Sequence, residues 1–217
     1  DDIIAIARKA GDGILNIYNK KFSVNYKDDN SPLTEADLVS NSIITASLEN
    51  YGVPILSEEG KEIKFNERSK WNYYWCIDPI DGTKEFIKKN DEFTVNIALI
   101  HNNIPVLGVV FAPALGDIYY AKQDNGAYKN GRPIHIKTNN TSATELKVAV
   151  SSSHLTDATQ KFIDKLSTQS QKITLISKGS SLKLCMVAEG IADIYPRLAP
   201  TMEWDTAAAD AIVRESG

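Results

Sequence analysis

Cysteine is nearly missing from this chain: Cys76 and Cys185 are the two in 217 residues. Each lies between apolar neighbours, Trp75 and Ile77 for the first, Leu184 and Met186 for the second. That excludes a disulfide scaffold, and it fits reduced thiols in a core, and with them a cytoplasmic location, better than a zinc site. Positive charge is also scarce. Lys plus Arg number 24 against 28 for Asp plus Glu, a net charge of -4, so there is no electrostatic footprint for a nucleic-acid polymer or an anionic membrane surface. An anionic ligand has to be met by locally placed cations or metal ions. No apolar run approaches the roughly 20 residues of a membrane helix, and Asp1-Asp2-Ile3-Ile4 lacks the basic start of a secretory signal. Neither insertion nor export is expected. Internal repeats and low-complexity tracts are missing too. What remains is an ordinary globular composition, 42% hydrophobic and 24% charged, sufficient for one large or two small domains.

Periodicity sets out the elements. Ile3, Ile6, Ala10, Ile14, Ile17 and Tyr18 recur at helical spacing and predict an aspartate-capped helix from Asp2 to about Lys20. A polar loop is expected from Asn25 to Pro32. Thr34-Glu35-Ala36-Asp37 has the form of a capping box, and Leu38, Ile43, Ile44 and Leu48 continue a helical stripe. Val53 to Leu56 and Tyr73 to Ile77 read as strands that end abruptly on acidic residues. From Phe93 to Ile136, four β-prone runs with turn signals such as Asp124-Asn125-Gly126 and Asn130-Gly131 predict an antiparallel meander. Thr138 to Thr144 is polar and patternless, and it divides an N-terminal unit, 1–137, from a C-terminal unit, 138–217. The second unit reads as α/β: a strand from Lys147 to Val150, a helix from Thr156 to Leu166 and a strand from Ile173 to Ile176. A helix from Ser180 to Ala188, a strand from Ile191 to Tyr195 and a helix from Thr206 follow.

The densest chemistry lies in Trp75-Cys76-Ile77-Asp78-Pro79-Ile80-Asp81-Gly82-Thr83. Two aspartates three apart at a strand end, with Pro79 fixing the backbone between them, can aim both carboxylates at one point, and the Ile80 carbonyl faces the same way. Hard cations such as Mg²⁺ take oxygen ligands of this kind. Gly82 and Thr83 then open a short helix, to about Lys88, whose free amides suit a phosphate. The bland alternative is an Asp-Pro turn with Asp81 as a cap. A haloacid-dehalogenase phosphatase is a poor match, because one extra residue separates the aspartates and places its nucleophile and acid on opposite sides of an extended chain. Glu58 and Glu59, after another strand, gain a metal role only in the company of the aspartates. Asp205 in Trp204-Asp205-Thr206-Ala207-Ala208 reads by itself as an N-cap, and Asp37 as the capping-box acid.

Together and in this order, these pieces resemble the magnesium-dependent, lithium-sensitive phosphatase superfamily that includes inositol monophosphatase, over nearly the whole chain. A narrower resemblance, to its CysQ branch of 3'(2'),5'-bisphosphate nucleotidases, lies in Gly82-Thr83-Lys84-Glu85-Phe86, Ser151-Ser152-Ser153-His154, Gly179-Ser180-Ser181-Leu182-Lys183 and Tyr195-Pro196-Arg197. The resemblance implies a layered α-β-α-β-α sandwich, with the site between an N-terminal half of helices over an antiparallel sheet and a C-terminal α/β half. It implies removal of the 3'-phosphate of adenosine 3',5'-bisphosphate to give AMP, with two or three Mg²⁺ and a small-molecule nucleotide, not a nucleic-acid polymer, as substrate; oligomeric state is left open. Glu58, Asp78 and the Ile80 carbonyl would hold the first metal, and Asp78, Asp81 and Asp205 the second. Glu58 and Thr83 would position the attacking water, with Asp37 in support. Gly82 and Thr83 would grip the phosphate, and His154, Ser180, Lys183 and Arg197 would contact the nucleotide. The branch also carries the expectation of a cytoplasmic enzyme, with peripheral attachment at the inner membrane as a variant. Two departures stand out. Ala207-Ala208-Ala209 replaces a family Ala-Ala-Gly, which puts helix placement near Asp205 in question. The lack of an initial Met, and the stop at Ser216-Gly217 just after an amphipathic segment, carry the expectation of trimmed ends and an absent C-terminal stretch. Inositol monophosphatase is the alternative activity. A Mg²⁺-dependent nucleotide-binding protein without turnover is the alternative of another class, with Ala209 its one hint.

Overall fold

The apolar stripe at the start of the chain folds as α1 (Asp2–Tyr18), burying Ile3, Ala7, Ala10, Ile14 and Tyr18 along one face. The helix stops short of Lys20, and Asp1 occupies the N-cap without a side-chain hydrogen bond, so the expected aspartate cap does not form. The computed structural model describes residues 1–27, 31–136, 145–151, 156–167 and 172–217. In the segment read as a polar loop, β1 (Val24–Tyr26) and β2 (Pro32–Thr34) pair as an antiparallel ribbon. Three-residue strands are too short to show a period in sequence. The capping box forms: Thr34 Oγ1 accepts from the Ala36 amide at 3.2 Å, Asp37 Oδ2 accepts from the Thr34 amide at 2.8 Å, and α2 (Glu35–Leu48) follows.

After β3 (Ile55–Ser57) and the short α3 (Phe65–Arg68), β4 runs from Tyr73 to Asp81, past the expected end at Ile77. It leads through α4 (Thr83–Lys88) into β5 (Thr94–His101), β6 (Ile104–Ala112), β7 (Asp117–Lys122), β8 (Ala127–Lys129) and β9 (Arg132–Ile134). The meander thus has five strands where four runs were expected. Asn130 and Gly131, both at positive φ, fold the last run back on itself, as a tight hairpin turn requires. These strands form one sheet in the order β3 to β9, in which β3 is parallel to β4 and every other pairing is antiparallel.

Further on, β10 (Glu145–Ser151) and β11 (Lys172–Lys178) pair in parallel on either side of α5 (Asp157–Ser167) in the chain. Ser180 has φ 48°, so α6 (Leu182–Ala188) starts two residues later than expected. Ile191 to Tyr195 is not a strand: the Ile191 and Ala192 amides bond back to the Met186 carbonyl, and only a single bridge joins Ile194 to Val148. The last helix, α7 (Glu203–Glu215), starts before Thr206, so Asp205 is its third residue rather than its cap. The boundary expected at 137/138 falls at 137–144, outside the described residues.

Alternate residues of each strand serve opposite faces of the large sheet. Trp75, Ile77, Val95, Ile97, Val109 and Phe111 pack with α1 and α2, whereas Cys76, Ala98, Ile100, Val110 and Ala112 pack with α6 and α7. The smaller sheet repeats the arrangement, with Val148 and Val150 against Ile163 of α5 and Ala149 against Met186 of α6. The layers therefore run α, β, α, β, α, with α6 and α7 between the two sheets.

Contact between α7 and the large sheet is made with no side chain in between at one point. A Cβ on Gly108 of β6 would stand 2.1 Å from the Ala208 carbonyl oxygen. The close approach comes from the sheet side, and α7 runs unbroken through Ala209, which is buried. Gly108→Ala should therefore cost about 3 kcal/mol of stability, as overpacking of a tight contact does. Urea denaturation measures this, and a change below ~0.5 kcal/mol would show that α7 sits more loosely than described.

Candidate active site

Asp78 and Asp81 are three apart, which in a regular strand would send them to opposite faces. The strand is not regular there. Asp78 pairs with Asn96 and Asp81 with Thr94, so Pro79 and Ile80 together oppose Val95 alone. This bulge takes up one residue and turns both carboxylates to one side, and Pro79, lacking an N–H, suits a position where the ladder is broken. Asp205 enters from the first turn of α7, and one carboxylate oxygen each of Asp78, Asp81 and Asp205 lie within 4.8 Å of one another.

The cluster is electrostatically unfavourable as it stands. Asp78 is 1% exposed and its Oδ1 has no hydrogen-bond partner. Burial raises its pKa well above the usual carboxylate range, and Glu58, Asp81 and Asp205 add to the rise. Burial pushes Asp81 up to about 6, against the pull of Lys183 and the Ser181 hydrogen bonds. An orphaned buried oxygen beside converging carboxylates is the donor set a hard cation completes.

Glu58 borders the same cavity but is held differently. Its Oε1 lies 3.1 Å from Lys27 Nζ, which also reaches Glu59 at 2.6 Å. Burial raises the Glu58 pKa, opposed by Lys27. Burial works to discharge Lys27, but its bonds to Glu59 and Glu58 outweigh that and raise its pKa. Behind the cavity, Thr83 Oγ1 lies 3.1 Å from Asp37 Oδ1 and 3.3 Å from the Ile80 carbonyl oxygen. Asp37 is buried, which raises its pKa against the donors of Thr34 and Thr83. Thr83 begins α4, and Gly82, at φ 93°, is its N-cap without a side-chain bond.

The cavity holds about 320 Å³ and is lined by Glu58, Asp78, Ile80, Asp81, Gly82, Thr83, Ser180, Lys183, Arg197 and Asp205, among others. Of the residues singled out in the sequence, Asp37 is not in the lining and reaches it through Thr83, and His154 lies outside the described residues. Lys183 Nζ donates to the Ser180 carbonyl at 2.5 Å and stands 5.4 Å from the centre of the Tyr195 ring; burial lowers its pKa, opposed by Asp81 and Glu85. Arg197 donates to the Pro200 carbonyl at 3.3 Å.

Sequence reasoning passed over four residues that shape the site. Ser181 donates to Asp81, Asn96 donates to Ser181, Thr201 donates to Asp205 and Lys27 pairs with Glu58. Only Ser181 carried a signal, its place beside Ser180, and spacing does not say which of two adjacent serines faces a carboxylate on a remote strand.

The Inositol monophosphatase family model matches residues 2–217. The 3'(2'),5'-bisphosphate nucleotidase CysQ of Buchnera aphidicola is 43% identical over 222 residues, covering all of this chain and 82% of that protein. That of Escherichia coli K12 is 41% identical over 224 residues, covering all of this chain and 87% of the relative. Among solved structures, CysQ from Bacteroides thetaiotaomicron matches with a TM-score of 0.89 at 42% identity, over all of this chain and 85% of the other. A Thermotoga maritima IMPase matches with a TM-score of 0.80 at 30% identity, over 99% of this chain and 81% of the other. With fold, motif order and sequence similarity all extending over the whole chain, the protein belongs to the inositol monophosphatase family, in its CysQ branch.

Proposed function

We propose that this chain is a Mg²⁺-dependent phosphatase that hydrolyses the 3'-phosphate of adenosine 3',5'-bisphosphate, giving AMP and phosphate. One observation carries the reading: three converging carboxylates, one with an unpartnered buried oxygen, share a cavity with the cations Lys183 and Arg197. Carboxylates without cations would repel any phosphate, and two side-chain cations in the same cavity suit a substrate with a second phosphate.

Asp78, Asp81 and Asp205, with Glu58 and the Ile80 carbonyl, would hold two or three Mg²⁺, which when bound neutralise the phosphoryl and leaving oxygens. The Gly82 and Thr83 amides grip the phosphate undergoing hydrolysis. Thr83 Oγ1 accepts a proton from the attacking water as it gives its own to Asp37 Oδ1, and Glu58 orients the same water. The P–O bond to the ribose breaks, and the 3'-oxygen leaves as an alkoxide that takes a proton from solvent to become the hydroxyl of AMP, while Asp37 returns the proton it received to solvent. Lys183 and Arg197 hold the retained 5'-phosphate, Arg197 by a bidentate contact and Lys183 as a point charge, with Ser180 beside them. The cytoplasm is the proposed location. Among the described residues no helix is long and apolar enough to cross a membrane, and no feature supports the peripheral attachment considered above. Binding without turnover gains nothing from Ala209, since α7 is unbroken there and Asp205 reaches the cluster.

Phosphate release from adenosine 3',5'-bisphosphate and from inositol 1-phosphate, measured side by side in Mg²⁺, tests the reading. The bisphosphate should be the better substrate, and lithium should inhibit. Better turnover of inositol 1-phosphate would make the protein an inositol monophosphatase, and release from neither would leave a binding protein. Arg197→Ala should raise KM for the bisphosphate by about 10- to 150-fold, the loss of one charge-assisted contact. Activity on a small monophosphate should be unchanged; equal losses on both substrates would take Arg197 out of the second-phosphate subsite.

A further inference from the structure

We propose that Ser181 is a positioning residue that keeps Asp81 and Asp205 in register for cation binding, an inference that rests on the metal-dependent reading above. The two aspartates come from separate layers, Asp81 from β4 of the large sheet and Asp205 from α7. Ser181 touches both. Its amide and its Oγ lie 2.6 and 2.7 Å from Asp81 Oδ2, and the same Oγ lies 2.8 Å from the Asp205 carbonyl oxygen. From β5, Asn96 Nδ2 donates to that Oγ at 2.8 Å. Three elements thus meet at one hydroxyl, on a residue 3% exposed.

A serine hydroxyl has one proton and two lone pairs. Asn96 occupies a lone pair, which leaves the single proton shared between Asp81 Oδ2 at 2.7 Å and the Asp205 carbonyl oxygen at 2.8 Å, a three-centre bond that ties the two together. The turn that presents Ser181 is itself pinned. Glu92 Oε2 accepts from the Gly179 amide at 2.8 Å, and Oε1 pairs with Lys178 Nζ at 2.9 Å. A Cβ on Gly179 would stand 2.7 Å from Glu85 Cγ and 2.9 Å from the Glu92 carbonyl oxygen, so the turn is seated against the segment ahead of β5. Ser180 takes φ 48° there, a backbone state that persists where surrounding contacts enforce it. Hydrogen-bond partners of metal ligands set ligand orientation and hence metal affinity.

Ser181→Ala keeps the amide bond to Asp81 and removes the hydroxyl. Calorimetric titration of the metal-free protein with MgCl₂ alone should show affinity lowered by about tenfold to a hundredfold. The Mg²⁺ concentration for half-maximal hydrolysis should rise by the same factor, with kcat at saturating Mg²⁺ largely restored. A variant that loses thermal stability in EDTA yet binds Mg²⁺ like the wild type overturns the proposal, because Ser181 is then merely structural. Asn96→Ala should also weaken Mg²⁺ binding, and it should add little in the Ser181→Ala background, since its bond to the hydroxyl at 2.8 Å is far shorter than its direct contact with Asp81 Oδ2 at 3.5 Å. Full additivity in that pair would overturn the relay. If Ser181→Ala does not fold, Asn96→Ala and Ser181→Cys decide the question by the same titration. Wild-type protein that binds no Mg²⁺ would instead defeat the metal-dependent reading, and the proposal with it.

Discussion

Asp78→Asn and Asp81→Asn should each lower kcat by about a thousandfold or more, well beyond the roughly hundredfold that losing an outer hydrogen-bond partner costs. In the absence of metal the same changes should stabilise the protein. Asp78 carries a buried oxygen with no partner, and burial has pushed Asp81 up to about 6. A carboxyl with a raised folded-state pKa binds more protons folded than unfolded between about pH 4 and 6. Its contribution is therefore favourable below that window and is lost as pH rises through it. For Asp81 the rise of about two units corresponds to roughly 3 kcal/mol. In EDTA, Asp81→Asn should match the wild type near pH 4 and exceed it by up to about 3 kcal/mol at pH 7, read from urea denaturation. Mg²⁺ should restore stability to the wild type and do far less for the variant. A variant less stable than the metal-free wild type at pH 7 would mean that the carboxylate is structural. Turnover surviving in excess chelator would remove the metal mechanism.

Thr83→Ala should reduce single-turnover phosphate release by about 10²- to 10⁴-fold, the span of acid–base contributions. KM for adenosine 3',5'-bisphosphate should barely move, because the Gly82 and Thr83 amides proposed to grip the phosphate remain. Capping does not compete as an explanation. Gly82 is the N-cap of α4 and Thr83 its first residue, so the ~1 kcal/mol of a lost cap does not apply. Asp37 loses one donor but keeps the Thr34 amide at 2.8 Å and the Thr34 hydroxyl at 2.6 Å, so the fold survives. Thr83→Ser should restore most of the rate. Lower thermal stability with an intact single-turnover rate would take Thr83 out of the mechanism.

Much of this protein follows from local patterns. The stripe of α1, the capping box of α2, each turn of the meander and the Asp-Pro-Ile-Asp-Gly-Thr run are all written within fewer than twenty residues. Helix period, strand alternation, cap chemistry and turn chemistry act over that range. Short elements escaped for the same reason: the β1–β2 ribbon has no period to detect, and Ile191–Tyr195 has strand composition but spends its first two amides on closing α6, leaving only a single bridge to β10. Candidate ligands were legible as residue types at the ends of apolar runs, and so were the cations Lys183 and Arg197 that share their cavity.

By itself, then, the sequence determined the order of elements, the motif that carries the aspartates and the chemical character of the site. Tertiary structure decided which groups meet. Only strand pairing shows that a bulge turns Asp78 and Asp81 to one side, because register depends on the neighbouring strand. Only packing brings α7 onto Gly108 and Asp205 into the cluster. And only the meeting of three elements selects Ser181, rather than Ser180, as the partner of Asp81. The physical reason is range: hydrogen bonds and carboxylate repulsion act over a few ångströms of space, and some of the residues they join here are separated by more than half the chain.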